Sequence, residues 1–302
     1  MLATDLLGIA EVERVAALGG LDARTQSDLG QFFTPAAAAQ LIAAMPSLPS
    51  TGTLRVLDPG AGSGMLTAAL VRRVLAEQPE LSVEIVAIER DPAVLPHLQA
   101  TLAECERAGE GRVVAESVEA DFILDSTGLD ASLNLEAQFD LVIENPPYGK
   151  LAVSSAHRTA MRAAGVDAPN LYAAFLALSV AALRPGGQVV AITPRSFFNG
   201  PYFGAFRSHL LDSIADQAKE VANHEFTKIA IAHQKTLLAV MVLRSMLMQR
   251  RAAGSAGTRT SRDSCIARWP AGATRTVPCS ATPRRRSRTR RQGDSRSPCR
   301  PS

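Results

Sequence analysis

Short apolar runs and longer helical stretches alternate along this chain. Leu54-Arg55-Val56-Leu57-Asp58 reads as a buried strand, and Met65 to Ala76 as the helical run that follows it. Val83 to Glu89 predicts the next strand, after which Asp91-Pro92 opens a helix. Arg112 to Glu116 predicts a third strand and Leu141-Val142-Ile143 a fourth. An apolar helix opens at Asn170-Leu171-Tyr172 and runs to Leu183, where Arg184-Pro185-Gly186-Gly187 supplies a stop and a turn. Gln188 to Thr193 and Thr236 to Leu243 read as further buried strands. Continuously apolar strands separated by helices predict an α/β domain with a mainly parallel sheet.

The fourth strand stops at Asn145-Pro146-Pro147-Tyr148. Proline lacks an N–H and has a fixed φ, so the chain cannot continue the ladder, and Asn145 is driven towards an extended conformation. The outcome is a rigid loop at the carboxyl end of a parallel strand, where open α/β sheets place their ligands. It offers a side-chain amide, a proline carbonyl outside any ladder and an aromatic ring, groups suited to a planar substrate with an exocyclic amine. An ordinary proline turn is the alternative.

Upstream, Asp58-Pro59-Gly60-Ala61-Gly62-Ser63-Gly64 joins the first strand to its helix. The glycines allow a tight turn and close approach to a ligand, and the helix start that follows offers unpaired N–H groups. The spacing is Gly-x-Gly-x-Gly, which argues against the Gly-x-Gly-x-x-Gly cradle of dinucleotide sites. Nearer the N-terminus, Gln31-Phe32-Phe33-Thr34-Pro35 precedes a helix expected to be capped by Thr34, with Pro35 in its first position. Taken alone, the paired phenylalanines would read as core.

Together these motifs resemble those of S-adenosylmethionine-dependent methyltransferases, and Gln-Phe-Phe-Thr-Pro resembles the N-terminal motif of the adenine-N6 DNA methyltransferases of restriction–modification systems. Residues 29 to about 245 carry the resemblance, in the gamma order of motifs. It implies a Rossmann-like methyltransferase fold with a mainly parallel seven-stranded sheet and a short helical N-terminal extension. It implies S-adenosyl-L-methionine as cofactor, held by Phe33, Thr34, Pro35, Asp58, Gly60, Gly62, Gly64, Glu89, Asp121, Phe122 and Asn145. Glu89 would accept from the ribose hydroxyls, although a helix N-terminal charge is an alternative reading of it. Asp121 and Phe122 would contact the adenine, although a solvated loop acid is an alternative for Asp121. Asn145, Pro146 and Tyr148 would be catalytic, with Phe226 as a second stacking face for the target base.

The expected partner is double-stranded DNA, with a separate specificity or nuclease component as a further candidate. Open alternatives are a methyltransferase acting on protein glutamine or on an RNA base, and a noncatalytic remnant that still binds cofactor. No metal is implied, since the five histidines show no ligand spacing.

Charge divides the chain. The formal net charge is +3, yet residues 251–302 hold thirteen arginines against two aspartates, a local +11, so the remainder carries −8. An acidic body is a poor nonspecific DNA binder, because counterion release needs cations at phosphates. The domain expectation is a helical segment over 1–48 carrying the cofactor-lid motif, a catalytic domain over 49–250, and an Arg-rich tail over 251–302. The tail lacks apolar periodicity and reads as a basic disordered arm or as an out-of-frame product. On either reading the chain is expected to be truncated, without a folded recognition domain. Cys105 is the sole cysteine before residue 250, no apolar window reaches the roughly 18 residues of a membrane span, and the start is acidic. A cytoplasmic protein without a membrane segment is expected.

Overall fold

The computed structural model describes residues 5–20, 33–127, 131–135, 138–194, 227–233 and 236–244, the last two segments by backbone alone. Contacts divide the chain into Met1–Arg250 and Arg251–Ser302, and the second unit lies outside the described residues. In order, the elements are α1 (Leu6–Gly20), α2 (Ala36–Ala43), β1 (Thr51–Pro59), α3 (Met65–Glu77), β2 (Glu80–Glu89), α4 (Leu95–Gly109), β3 (Val113–Glu119), β4 (Phe139–Glu144), α5 (Ala156–Ala163), α6 (Leu171–Ala182) and β5 (Leu183–Pro194). Two further strands follow, β6 (Thr227–His233) and β7 (Thr236–Arg244).

The strand order is β3-β2-β1-β4-β5-β7-β6. The five strands from β3 to β5 are parallel to their neighbours. β7 pairs antiparallel with β5, and β6 antiparallel with β7. The sequence order reverses direction at β1, whose neighbours are β2 on one side and β4 on the other. That reversal opens a crevice at the carboxyl ends of these two strands, the usual ligand position in such sheets.

Side chains alternate between two apolar layers. Val56 and Ile143 enter the layer that contains α1 to α4, while Leu57 and Val142 enter the layer that contains α6. All four are inaccessible to solvent, which is why β4 reads as an unbroken apolar run and the apolar run of β1 is interrupted by Arg55 alone. Burial of each such side chain contributes about 1.5–3 kcal/mol. The N-terminal helices share this core through Leu6, Leu7, Ala10, Ala39 and Ile42. His97 Nδ1 lies 2.7 Å from a Glu13 carboxylate oxygen, joining α4 to α1. Arg73 Nη1 donates to the carbonyls of Ala43 and Pro46, both at 2.8 Å, and so secures the end of α2. Ser47 and Gln188 exchange two hydrogen bonds, of 3.0 and 2.9 Å, between the segment after α2 and β5.

Three local expectations are corrected. The residue capping α2 is Pro35, at φ −65° and ψ 151°, not Thr34. Proline meets the extended backbone of the cap position, and the Thr34 hydroxyl is taken up elsewhere. The helix after β2 starts at Leu95, because residues 92–94 form a turn in which the Asp91 carboxylate accepts from the Ala93 N–H at 3.0 Å. Finally, α6 passes directly into β5 at Leu183. Arg184 to Gly187 form an irregularity within the ladder: Phe139 pairs with Leu183, and Leu141 next pairs with Gln188.

Candidate active site

The loop after β1 is turned by backbone. Gly60 N–H and Ala61 N–H both donate to the Ile88 carbonyl at 2.8 Å, which carries the chain over the end of β2. Gly62 has φ +57°, and a Cβ there would lie 3.3 Å from the Phe33 ring. Gly64 starts α3 from the left-handed region at φ +84°. These positions are strained for any other residue. Phe33, from the N-terminal motif, therefore lies directly against the glycine loop.

At the end of β2, Glu89 is buried and secures the same loop. Its Oε2 accepts from Gly62 N–H at 2.9 Å and its Oε1 from Asp91 N–H at 2.8 Å. Burial pushes its carboxyl up from the usual range, and these backbone hydrogen bonds oppose the shift. Asp58 lies deeper. Its Oδ2 accepts from the Thr67 hydroxyl at 2.7 Å, while the buried Oδ1 has no hydrogen-bond partner among the described residues. Burial raises its pKa to about 7; the Thr67 bond opposes this, and the nearby Glu89 charge adds to it.

Beyond β3, Asp121 accepts from the Ile123 and Leu124 N–H groups, from Arg90 and from the His157 ring. Phe122 packs against Phe175 with ring centroids 5.0 Å apart and planes at 59°. After β4, the half-buried Asn145 is held from both ends of its amide. Nδ2 donates to the Thr34 hydroxyl at 3.1 Å, and Oδ1 accepts from the Tyr148 hydroxyl at 2.8 Å. Thr34 is buried, and this bond gives its hydroxyl the role that the cap position does not. The Tyr148 ring sits between the two apolar layers, 6.4 Å from Tyr172.

Glu144 precedes Asn145 and is fully buried. Its Oε2 accepts from the Ser179 hydroxyl at 2.9 Å, and its Oε1 has no hydrogen-bond partner among the described residues. Burial lifts its pKa to about 8; the Ser179 bond opposes this, and Asp58 adds to it.

One cleft runs along these strand ends. Among the candidate residues, Phe33, Thr34, Gly60, Gly62, Glu89, Asp121, Phe122 and Asn145 line it. Asp58, Gly64, Pro35, Pro146 and Tyr148 are not among its lining residues, and Pro147 is the proline of the pair that reaches it. Phe226 lies outside the described residues. The cleft also takes in Arg90, His157, Leu171 and Phe175, which the motifs did not indicate. An apolar helix start at Asn170-Leu171 was the sole signal for the last two. Nothing local marked His157, whose partner Asp121 is 36 residues away. Among the described residues, no cluster of three or more His, Cys, Asp or Glu could hold a metal ion. No helix among them is long and apolar enough to cross a membrane.

Residues 99–218 match the model of the Eco57I restriction-modification methylase family. The chain is 39% identical over 196 residues to the Type II methyltransferase M.BsuBI of Bacillus subtilis, covering 63% of this chain and 38% of that protein. It is 38% identical over 202 residues to the Type II methyltransferase M.PstI of Providencia stuartii, covering 66% and 39%. The chain thus spans about two-fifths of the length of these relatives. Among solved structures, it is similar to a putative class I S-adenosylmethionine-dependent methyltransferase from Listeria monocytogenes, with TM-score 0.55, 14% identity and coverage of 79% and 68%. It is also similar to the methyltransferase subunit of a type I restriction-modification system from Streptococcus thermophilus, with TM-score 0.50, 23% identity and coverage of 70% and 44%. The fold is that of the S-adenosylmethionine-dependent methyltransferases, and the sequence is related to methyltransferases of restriction–modification systems.

Proposed function

We propose that this chain uses S-adenosylmethionine to methylate the N6 amine of adenine in DNA, as the modification activity of a restriction–modification system. The observation that carries this reading is the Asn145 amide, fixed between Thr34 and Tyr148 and lining the same cleft as Glu89 and Asp121.

The residues present fit such a cofactor. A backbone-lined turn at Gly60 to Ser63 has no Cβ to obstruct an amino-acid moiety at its glycines, and the buried Glu89 faces the cleft. Glu89 Oε2 accepts from Gly62 N–H and Oε1 from Asp91 N–H, and because a carboxylate oxygen can accept more than one hydrogen bond the group suits the two vicinal hydroxyls of a ribose. Ile88, Phe122 and Phe175 add the apolar wall that a nucleobase needs. When bound, the cofactor supplies an electrophilic methyl group on a sulfonium.

The chain's own part is to orient the acceptor. Asn145 Oδ1 is the amide's accepting atom, with the Tyr148 hydroxyl donating to it, and Pro146 lies past the last paired residue of β4, Glu144. These two oxygens would each accept one hydrogen of an exocyclic amine, turning its lone pair towards the methyl group. The gain is positional and electrostatic, from dipoles held rigid before the substrate arrives. An adenine amine is paired and stacked within duplex DNA, so the base must leave the helix first. Tyr148 would offer one stacking face and Phe226 another. Stacking of this kind contributes on the order of 1–3 kcal/mol per base.

The test is methyl transfer from labelled cofactor to DNA, with the product nucleoside identified by mass spectrometry. N6-methyladenine from the unaltered chain, lost in Asn145→Ala with cofactor binding retained, is the expected result. A methylated cytosine, or transfer to RNA or protein in preference to DNA, would overturn the substrate assignment.

A further inference from the structure

From Asn145 to the approach of α6 the chain carries cations and no acid. Residues 145–166 contain Lys150, Arg158 and Arg162, with His157 beside them, and neither Asp nor Glu, in a body (residues 1–250) that carries −8. The segment is fixed in place. Leu151 and Met161 are buried in the layer that contains α6. The Gly149 carbonyl accepts from Leu171 N–H at 2.9 Å, and Lys150 pairs with Asn170 in an antiparallel bridge. It also follows the cleft, which Asn145 lines at its start, His157 midway and Leu171 just beyond its end. These residues form a cationic shelf along the cleft rim.

The charges on this shelf are not matched. Asp167 Oδ1 accepts from Arg158 Nε and Nη2, at 3.0 and 2.7 Å, and from Arg162 Nε at 3.2 Å. No other carboxylate among the described residues pairs with two arginines. Arg158 is 11% exposed, and its hold on Asp167 is structural. Arg162 is 48% exposed and is held through Nε alone, so its two Nη groups make no hydrogen bond to another described residue. Lys150 is exposed and forms no ion pair with a described residue. Three cations against Asp167 leave a surplus of +2 at this rim. Unmatched like charges repel and work against the compact state; a polyanion laid over them removes that cost.

Resting on the DNA reading above, we propose that this shelf seats the sugar–phosphate backbone beside the extruded base, with Lys150 and Arg162 at phosphates. The planar fork of an arginine meets two phosphate oxygens together, and a lysine serves as a point charge on a flexible stem. A base drawn out of the duplex remains on a strand whose neighbouring phosphates must pass the cleft mouth. Backbone contacts fix position and carry no sequence information, so the shelf places the strand without selecting its sequence.

The test is fluorescence anisotropy of the full chain, with S-adenosylhomocysteine present, on labelled DNA duplexes over a range of salt concentrations. Each phosphate contact contributes about 0.9 to the slope of log affinity against log salt. Lys150→Gln and Arg162→Gln should each lower that slope by about one, a loss of roughly five- to tenfold in affinity near 0.1 M salt, alike on duplexes of different sequence. Lys150→Arg should retain both slope and affinity, and Lys150→Gln carries the test alone if Arg162→Gln does not fold. Arg107→Gln makes the same change of charge on α4, outside the cleft lining, and should leave the slope nearly unchanged. The Arg-rich tail is common to every variant and drops out of the comparison. Slopes unaltered in both shelf variants, or lowered equally by Arg107→Gln, would overturn this inference and leave the function reading standing. Tighter binding of an RNA duplex of the same length would overturn the assignment of the shelf to DNA. Absence of DNA binding by the unaltered chain would overturn the DNA reading itself, and this inference with it.

Discussion

The Thr34 hydroxyl accepts a hydrogen bond from the Asn145 side-chain amide at 3.1 Å, across 111 residues of sequence. It joins the segment leading into α2 to the loop that ends β4. With Tyr148 on the other end of the amide, it leaves Asn145 a single orientation in which its oxygen is the acceptor.

Thr34→Val should therefore impair transfer more than binding. A neutral hydrogen bond contributes about 0.5–1.5 kcal/mol net, so kcat should fall by roughly three- to tenfold while cofactor affinity changes less. Thr34→Ser should restore the rate. Single-turnover kinetics beside calorimetry would show it, and equal loss of both quantities would contradict the role given to this bond.

Glu89→Gln should weaken cofactor binding. It removes a charged acceptor from two backbone donors and from the proposed ribose hydroxyls, and bonds to charged groups are worth about 1.5–3 kcal/mol. A loss of roughly tenfold or more in affinity is expected. Unchanged affinity in a folded variant would remove Glu89 from the site.

Gly62→Ala should cost both stability and binding. Its φ of +57° disfavours a Cβ, which would also meet the Phe33 ring at 3.3 Å. A left-handed alanine costs about 1–2 kcal/mol, seen as a lower melting temperature, and the Phe33 contact would shift with it. A variant with wild-type melting and affinity would show that the turn is less constrained than its geometry implies.

Stability should fall as pH rises through neutrality. Glu144 and Asp58 keep protons in the folded state up to about pH 8 and 7, whereas in the unfolded chain they release them near pH 4. Between those limits the folded state binds more protons than the unfolded one, and each such group lowers stability by up to about 1.4 kcal/mol per pH unit. Glu144→Gln should flatten this slope and melt higher than the unaltered chain at pH 9. Denaturant titrations at pH 5, 7 and 9 would check it.

The strands were legible because Val56-Leu57, Ile85 to Ile88 and Leu141 to Ile143 are apolar on both faces, and the two loops because glycine and proline restrict backbone by their own chemistry. The acids after β2 and β3 were legible from their place at strand ends. What sequence could not convey was which side-chain atoms meet. Thr34 has the composition of a helix cap, yet Pro35 suits the extended cap backbone and Asn145 captures the hydroxyl. Asp58 sits in the glycine motif but points at Thr67 below the cleft. His157 reaches Asp121 only once α5 is folded back over the end of β3, a placement set by tertiary packing. Arg184 to Gly187 have the composition of a turn, and the ladder absorbs them as an irregularity.

Glu144 and Asn145 are neighbours on a segment whose successive side chains face opposite ways. The first is fixed below the sheet's carboxyl edge by Ser179, and the second faces the cleft. A slip of β4 by one residue would exchange them, forcing an amide into the apolar layer and presenting a carboxyl where an amine is to be gripped. The Ser179 hydroxyl is donated to Oε2 only in the correct register. The buried acid therefore marks strand alignment, and an error in pairing β4 is penalised before any substrate arrives.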